Sequence, residues 1–500
     1  MIQNTLVVGA GSAGLIAAIT LKRKLAGVSV RVVRSPDIGV IGVGEGTTPS
    51  FGGHLFGFLG IRQAHFHAQA QPTWKLGIRF LWGPRDWFDY SFAPQFDNLA
   101  GDVPPRQGFY CDGEFRCCNL QSALMAHDKA FTRRADGDPE FHPWHAFHIE
   151  NQKLVETLEV VARDAGVQFI EGTVRGIERG PAGIAAVLIE DGRRLDADFF
   201  IDASGFRSEL LGRVLDEPFE SFARSLFCDR AVVGGWERTD EPILPYTIAE
   251  TMESGWAWQI EHEHRINRGY VYSSQAISDE AAATEFLGKN PRASASPRVV
   301  KFRSGRCRRA WVENVVAIGN SGGFVEPLEA TALMVVCSAS RMLVSLLNES
   351  SLDPTPTIRK FFNGVMAATW DDIRDFLALH YRLNTRLDTP FWRHCREDTD
   401  VSRLAPLLEF YEENGPTSIG RHLLLRNEND FGIEGHLAML VGNRAPFQRR
   451  LAISPAERMA WNERRARFAT QARAGMDVEE ALRIIRNPGW RWNDDVQAGR

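Results

Sequence analysis

The sequence predicts a mixed α/β fold with two joined domains and a helical C-terminal cap, and three observations carry that expectation. An apolar run from Leu6 to Gly9 leads through Gly9-Ala10-Gly11-Ser12-Ala13-Gly14 into a helical pattern from Leu15 to Lys24. Residues from about 216 to 310 are strand-rich and hold Trp256, Trp258 and Ile260 at alternating positions, which share one face of a strand. From Thr355 onward helical periodicity dominates, as in the amphipathic stretch from Ile358 to His380. At 500 residues and 44% hydrophobic content the chain can bury a large core and is long enough for two domains. A formal net charge of −5 gives no general attraction to nucleic acid or to an anionic membrane, so small-molecule chemistry is the expectation.

Taken in order, Leu6 to Gly9 reads as a strand, the glycine loop follows, and the helix leads to a second strand at Val28 to Val33. This is a βαβ opening. A GxGxxG run in that context suits a dinucleotide, because Gly9, Gly11 and Gly14 let backbone approach a pyrophosphate at a helix N-terminus, where Ser12 and Ala13 keep the loop small. A tight turn needing small residues is the plainer reading of the same run. The acidic residue expected at the end of the second strand is replaced by Arg34, with Ser35 and Asp37 nearby, so the ribose contact has no assigned residue. Lys153 to Ala165 reads as a helix, and Val167 to Ile170, Gly183 to Glu190 and Phe199 to Ile201 read as strands. The domain reading is residues 1–215 with 311–350, then a second sheet over 216–310, then a helical cap over 351–500. Ser454-Pro455-Ala456-Glu457 is a capping-box start inside that cap.

Seven cysteines, Cys111, Cys117, Cys118, Cys228, Cys307, Cys337 and Cys395, form no CxxC pair, and an odd number makes a poor disulfide framework. A reducing cytoplasm fits. The N-terminus runs straight into the first strand rather than a signal peptide, and the most apolar segment, Thr331 to Leu347, is broken by Ser338, Ser340 and Arg341 and reads as too short and too polar for a bilayer. His142, His145 and His148 lack the partner ligands of a metal site and read as structural, so no metal is expected. Paired tryptophans at period 2 most often build a core, and a lone lysine such as Lys75 is most often a solvated surface residue.

Further runs change those readings. Trp74-Lys75-Leu76-Gly77-Ile78-Arg79-Phe80, Trp256-Ala257-Trp258-Gln259-Ile260 and Gly319-Asn320-Ser321-Gly322-Gly323-Phe324-Val325-Glu326-Pro327-Leu328-Glu329, together with the glycine loop, resemble the flavin-dependent halogenases, the tryptophan halogenase family. Ile41-Gly42-Val43-Gly44-Glu45-Gly46-Thr47-Thr48-Pro49 and Phe200-Ile201-Asp202-Ala203-Ser204-Gly205-Phe206 match two further loops of that family, and the likeness runs to about Trp392.

The resemblance implies an FAD-binding, Rossmann-like domain of the flavin monooxygenase type, with Gly9, Gly11, Ser12, Ala13, Gly14, Arg34, Gly44, Glu45, Gly46, Thr47, Gly319 and Pro327 at the cofactor. No second nucleotide motif is evident, so FADH2 is expected from a separate flavin reductase. It further implies a chloride or bromide site on the backbone of Thr331 and Ala332, at the start of a helix from about Ala330, and a hypohalous acid guided to Lys75. Trp256 and Trp258 would keep the substrate from the flavin, Tyr90 and Phe92 would line its pocket, and Glu329 would assist at the arene, with Glu326 assigned to backbone support.

This chain departs from the family pattern at Ala330 and Ala332, where serine and glycine are usual, and at Glu261, where proline is common. If the glycine position needs positive φ, Ala332 is strained. The run Trp87-Phe88-Asp89-Tyr90-Ser91-Phe92 lacks the histidine of tryptophan-specific members, which points to an indole, a phenol or a larger aromatic. Two other functions compete: an aromatic monooxygenase that would not need Lys75, and a non-catalytic flavin-binding homologue with a lost halide site. Monomer and homodimer are both compatible with the sequence.

Overall fold

A computed structural model describes residues 1–39, 44–95, 116–294, 296–424, 430–449 and 452–492. Ile41 to Val43 of the second family loop and Cys111 lie outside the described residues.

The βαβ opening forms as the alternation of apolar residues requires. Asn4–Val8 pairs in parallel with Ser29–Arg34 on one side and Phe199–Asp202 on the other, and the helix Ser12–Lys24 crosses between the first two. A six-stranded sheet results, in the order Gln168–Glu171, Ser29–Arg34, Asn4–Val8, Phe199–Asp202, Val315–Ala317, Trp311–Val312, parallel except at its last strand. Its central strands are almost wholly apolar because helices cover the face that Leu15, Ile16 and Ile19 bury. The strands expected at 167–170, 183–190 and 199–201 are present as Gln168–Glu171, Gly183–Ile189 and Phe199–Asp202, and the expected helix as Asn151–Asp164.

A second sheet has seven strands, in the order Arg298–Lys301, Arg230–Glu237, Arg265–Tyr272, Gly255–Glu261, Thr247–Met252, Gly77–Leu81, Phe88–Ser91. Five of these come from the region expected to be strand-rich. The last two come from far earlier in the chain, joined by a parallel seam in which Thr247 faces Ile78 and Ala249 faces Phe80. Residues 77–91 are therefore structurally part of the tryptophan-bearing sheet. Glu45–Gly46, Ala146–Ile149 and Thr73–Lys75 form, in that order, a small three-stranded antiparallel sheet.

The C-terminal part is helical among its described residues. Pro356–Leu383 is the longest helix, opened by a Thr355 cap and by proline in its first turn, and Pro455–Arg473 starts with the Ser454–Glu457 capping box. The helix Ala332–Glu349 corrects one expectation: by length and composition it is apolar enough to cross a membrane. It is instead packed within the protein, with Leu343 and Leu347 fully buried and its flank against the helix Ser12–Lys24.

Candidate active site

Along the carboxyl ends of the parallel strands runs a cleft of about 650 Å³, lined by Gly9 to Ala13, Arg34, Glu45, Ala203, Ser204, Gly205, Gly319, Asn320, Ala332 and Val336 among others. Its glycines are there for contact, not for flexibility alone. A Cβ on Gly9, at φ +113°, would stand 2.3 Å from the Ala203 carbonyl oxygen, and one on Gly14 would stand 1.9 Å from the Gly9 carbonyl oxygen. A Cβ on Gly11 would meet nothing, so its missing side chain leaves room for a ligand. Gly11 caps the helix Ser12–Lys24 without a side-chain bond, and no acidic residue lies in the first turn. Free amides and a positive helix end suit a pyrophosphate, so the loop fits a dinucleotide.

Arg34 lines the same cleft but is held by Glu159 at 2.6 Å and Glu171 at 2.8 Å. Glu45 also faces it and accepts a bond from Asn151 Nδ2 at 2.8 Å. The next residue, Gly46, turns away from the cleft: a Cβ there would lie 3.3 Å from Lys75 Nζ, 3.3 Å from Ala330 Cβ and 3.7 Å from Thr247 Oγ1. Alternation along a two-residue strand thus places the cofactor cleft on one side and Lys75 on the other.

Lys75 ends the strand Thr73–Lys75 and is 0% exposed. Its ammonium finds no hydrogen-bond partner among the described residues, and burial lowers its pKa from 10.5 to about 7 against the opposing pull of Glu329. The Phe92 ring lies 5.2 Å away. Glu329, 2% exposed, ends the 3-10 turn Pro327–Glu329 and binds His380 Nε2 through Oε1 at 2.8 Å. Tyr90 lies on the same face of its strand as Phe88, and burial, helped by the Glu329 charge, raises its hydroxyl pKa well above 10. Phe92 thus lies against Lys75, and the Glu329 charge reaches both Lys75 and Tyr90, so the four residues are neighbours.

The next residues reverse an expectation. Ala330 is the one in left-handed geometry, at φ 56°, while Ala332 is the first residue of the helix Ala332–Glu349 and carries no such strain. The helix starts two residues later than expected because Ala330 breaks the turn. Thr331 caps it without a side-chain bond, the first turn has no acidic residue, and Ala332, Leu333 and Val336 border the cleft. An anion at this end would find a positive helix terminus without a competing carboxylate cap.

Trp256 and Trp258 are both buried, with ring centroids 6.2 Å apart. Gly269 faces Trp258 across the sheet, and a Cβ there would stand 2.1 Å from the indole, so the ring lies flat on its neighbouring strand. Trp256 Nε1 donates to Glu326 Oε2 at 3.4 Å, and Tyr381 donates to the same oxygen at 2.8 Å. Glu326 therefore braces the tryptophan wall with its side chain, which corrects its assignment to backbone support. Glu261, in the place of the usual proline, is buried and paired with Arg238.

A cleft that fits a dinucleotide, a buried lysine with no hydrogen-bond partner among the described residues, a tryptophan wall and a buried carboxylate thus lie in one protein. The profile of the family described as tryptophan halogenase matches residues 4–449. The tryptophan 7-halogenase KtzQ of Kutzneria sp. (strain 744) is 35% identical over 447 residues, spanning 84% of this chain and 83% of that one. The tryptophan 7-halogenase RebH of Lentzea aerocolonigenes is 32% identical over 467 residues, spanning 86% of each. Among solved structures, MibH, a lanthipeptide tryptophan 5-halogenase, superposes with a TM-score of 0.89 at 39% identity, covering 97% of this chain and 93% of that one.

The chain belongs to the tryptophan halogenase family. It is an enzyme, a flavin-dependent halogenase, and its mixed α/β fold with C-terminal helices is that of its relatives. In this halogenase Gly44, Gly46, Thr47 and Pro327 do not line the open cleft. Gly44, at φ +81°, packs against His262, Thr47 bonds the Phe147 carbonyl, and Pro327 opens the turn to Glu329. His148 Nε2 is bonded to Thr247 Oγ1 at 2.8 Å, and no group of residues able to hold a metal occurs among the described residues. No role is read for His380 from the sequence, where it only ends the amphipathic stretch from Ile358. A histidine one residue before a buried tyrosine on an amphipathic helix was the available signal.

Proposed function

We propose that this halogenase uses FAD, delivered reduced by a separate flavin reductase, with dioxygen and chloride or bromide to halogenate the indole ring of tryptophan or a related electron-rich aromatic. The observation that carries this is Lys75, buried, without a hydrogen-bond partner among the described residues, lowered to about 7, and facing Gly46, the residue next to the cleft-lining Glu45. Dioxygen is the oxidant that takes halide to hypohalous acid, and the reduced flavin, when bound in the cleft, would supply the two further electrons that dioxygen takes up in doing so. The amides of Thr331 and Ala332 hold the halide beside the cleft, and the fully apolar faces of Trp256 and Trp258 keep the arene apart from the flavin. An amine half unprotonated near pH 7 can hydrogen-bond the oxidant or accept its halogen, and Glu329 takes the proton that the ring releases. Tyr90 and Phe92 hold the arene. We place the enzyme in the cytoplasm, with a homodimer as open as a monomer.

A second reading of the substrate, a tryptophan side chain within a peptide, is favoured by the 39% identity to a lanthipeptide halogenase over nearly the whole chain. Both are tested by mass spectrometry of reactions with FAD, a reductase, NADH, air and bromide, offered L-tryptophan or a tryptophan-containing peptide. A halogen isotope pattern that vanishes in Lys75→Ala supports the reading. A gain of one oxygen, unaffected by that substitution, would make the protein a monooxygenase.

A further inference from the structure

The bonds of His380 fix where its protons lie. Nδ1 is 2.7 Å from the Phe376 carbonyl oxygen, four residues back on the same helix, and a carbonyl only accepts, so Nδ1 carries a hydrogen. Nε2 is 2.8 Å from Glu329 Oε1. Two lone pairs do not approach that closely, so one proton lies between them. Both groups are buried, and the Phe80 and Phe376 rings pack on the imidazole at 5.3 and 4.8 Å, which removes water as an alternative partner. Glu329 Oε2 has no hydrogen bond among the described residues.

The remaining titratable groups around the pair are Lys75 and Tyr90 on the sheet side, and His436 and Glu434 on the helix Gly432–Gly442. His436 is lowered to about 4 by burial and bonds Gly432 O through Nδ1, so it brings no charge near neutrality. Glu434 is engaged at the backbone of Gln95 at 2.7 Å.

We propose that His380 is a positioning residue for Glu329: as an imidazolium clamped between the Phe376 carbonyl and Oε1, it fixes the carboxylate and turns Oε2 toward the arene. The inference rests on the proposed role of Glu329. In the step it serves, hypohalous acid gives its halogen to the ring carbon, and the hydroxide left behind takes a proton from the Lys75 ammonium and leaves as water. The C–H bond then breaks, its electron pair returns to the ring, and the proton goes to Oε2. Once that proton is passed back to the Lys75 amine, the sum is arene plus hypohalous acid to haloarene plus water. A carboxyl already protonated could not accept. The adjacent residue of the same helix, Tyr381, grips Glu326 under the tryptophan wall, so consecutive positions of one helix hold both carboxyls of the Glu326 to Glu329 turn.

The test is ¹⁵N NMR of the histidine imidazoles in the full chain, with variants His380→Gln and Glu329→Gln. The expected result is one imidazolium, protonated at both nitrogens, that is missing from His380→Gln and becomes a neutral Nδ1–H imidazole in Glu329→Gln. A neutral His380 in the unaltered protein would overturn the proposal. The companion measurement uses L-tryptophan and a tryptophan-containing peptide with bromide, alongside a diffusible trap for free hypobromous acid. His380→Gln should lower arene bromination at least tenfold, leave trapped hypobromous acid undiminished, and add no further loss in the double variant. Full bromination by Glu329→Gln would refute the role of Glu329 itself, whereas loss in Glu329→Gln with full rate and an unchanged pH profile in His380→Gln would refute only the role of His380.

Discussion

Lys75→Met separates what the buried lysine costs the fold from what it does for the reaction. A fall in pKa from 10.5 to about 7, at about 1.4 kcal/mol per pH unit, is a penalty of about 5 kcal/mol on the ammonium form. The group is fully buried, so solvent does not dilute that figure. The sign follows from proton counts. Between pH 7 and 10.5 the unfolded chain holds a proton that the folded protein has released, so stability rises with pH across that window, and below pH 7 the whole penalty is felt. Methionine has no proton to lose. The variant should therefore be more stable by about 5 kcal/mol at pH 6 to 7, with the advantage fading toward pH 10. With an unfolding entropy of about 2.1 cal/mol/K per residue, that is roughly 5 °C in Tm, read by scanning calorimetry of both proteins at pH 6.5, 8 and 9.5. Halogenation should disappear in the same variant. An equal or lower Tm at pH 6.5, or a gain that does not shrink by pH 9.5, would refute the reasoning.

Four other substitutions probe the site's geometry. Gly9→Ala drives a Cβ into the Ala203 carbonyl at positive φ and should lower Tm by several degrees, whereas Gly11→Ala, whose Cβ meets no protein atom, should keep Tm and weaken FAD binding at least tenfold in a fluorescence titration. Ala330→Gly removes the side chain from a left-handed position, so urea unfolding should show a gain of about 1 kcal/mol. Gly435→Ala places a Cβ 2.7 Å from the Tyr90 hydroxyl, which must shift; KM for the aromatic substrate should change several-fold while FAD affinity stays the same.

The parts of this enzyme that could be read from its sequence are those whose meaning is local. The glycine loop lies between a strand and a helix that form next to it, and the period-2 tryptophans form a wall wherever their strand is placed. Amphipathic spacing announces the helix Pro356–Leu383, and proline in a capping box the helix Pro455–Arg473, for the same reason. The Glu329–His380 bond spans 51 positions and depends on how two helices pack, which no short pattern encodes. The parallel pairing of Ile78 with Thr247 is equally remote. Ala330 was missed in another way: alanine has no preference for left-handed backbone, so its strain arises from the loop's surroundings and not from its own chemistry.

The parallel seam between Gly77–Leu81 and Thr247–Met252 also dictates an order of assembly. During synthesis the early strand must wait, unpaired on that edge, until the later one has left the ribosome, and the helix bearing His380 emerges later still. Long-range strand pairing of this kind is slow, and apolar edges exposed meanwhile invite association with other chains. Yield of folded enzyme should therefore respond to slower translation, lower growth temperature and chaperone supply more than to changes on its finished surface, and a fragment ending before residue 380 would lack the clamp on both carboxyls.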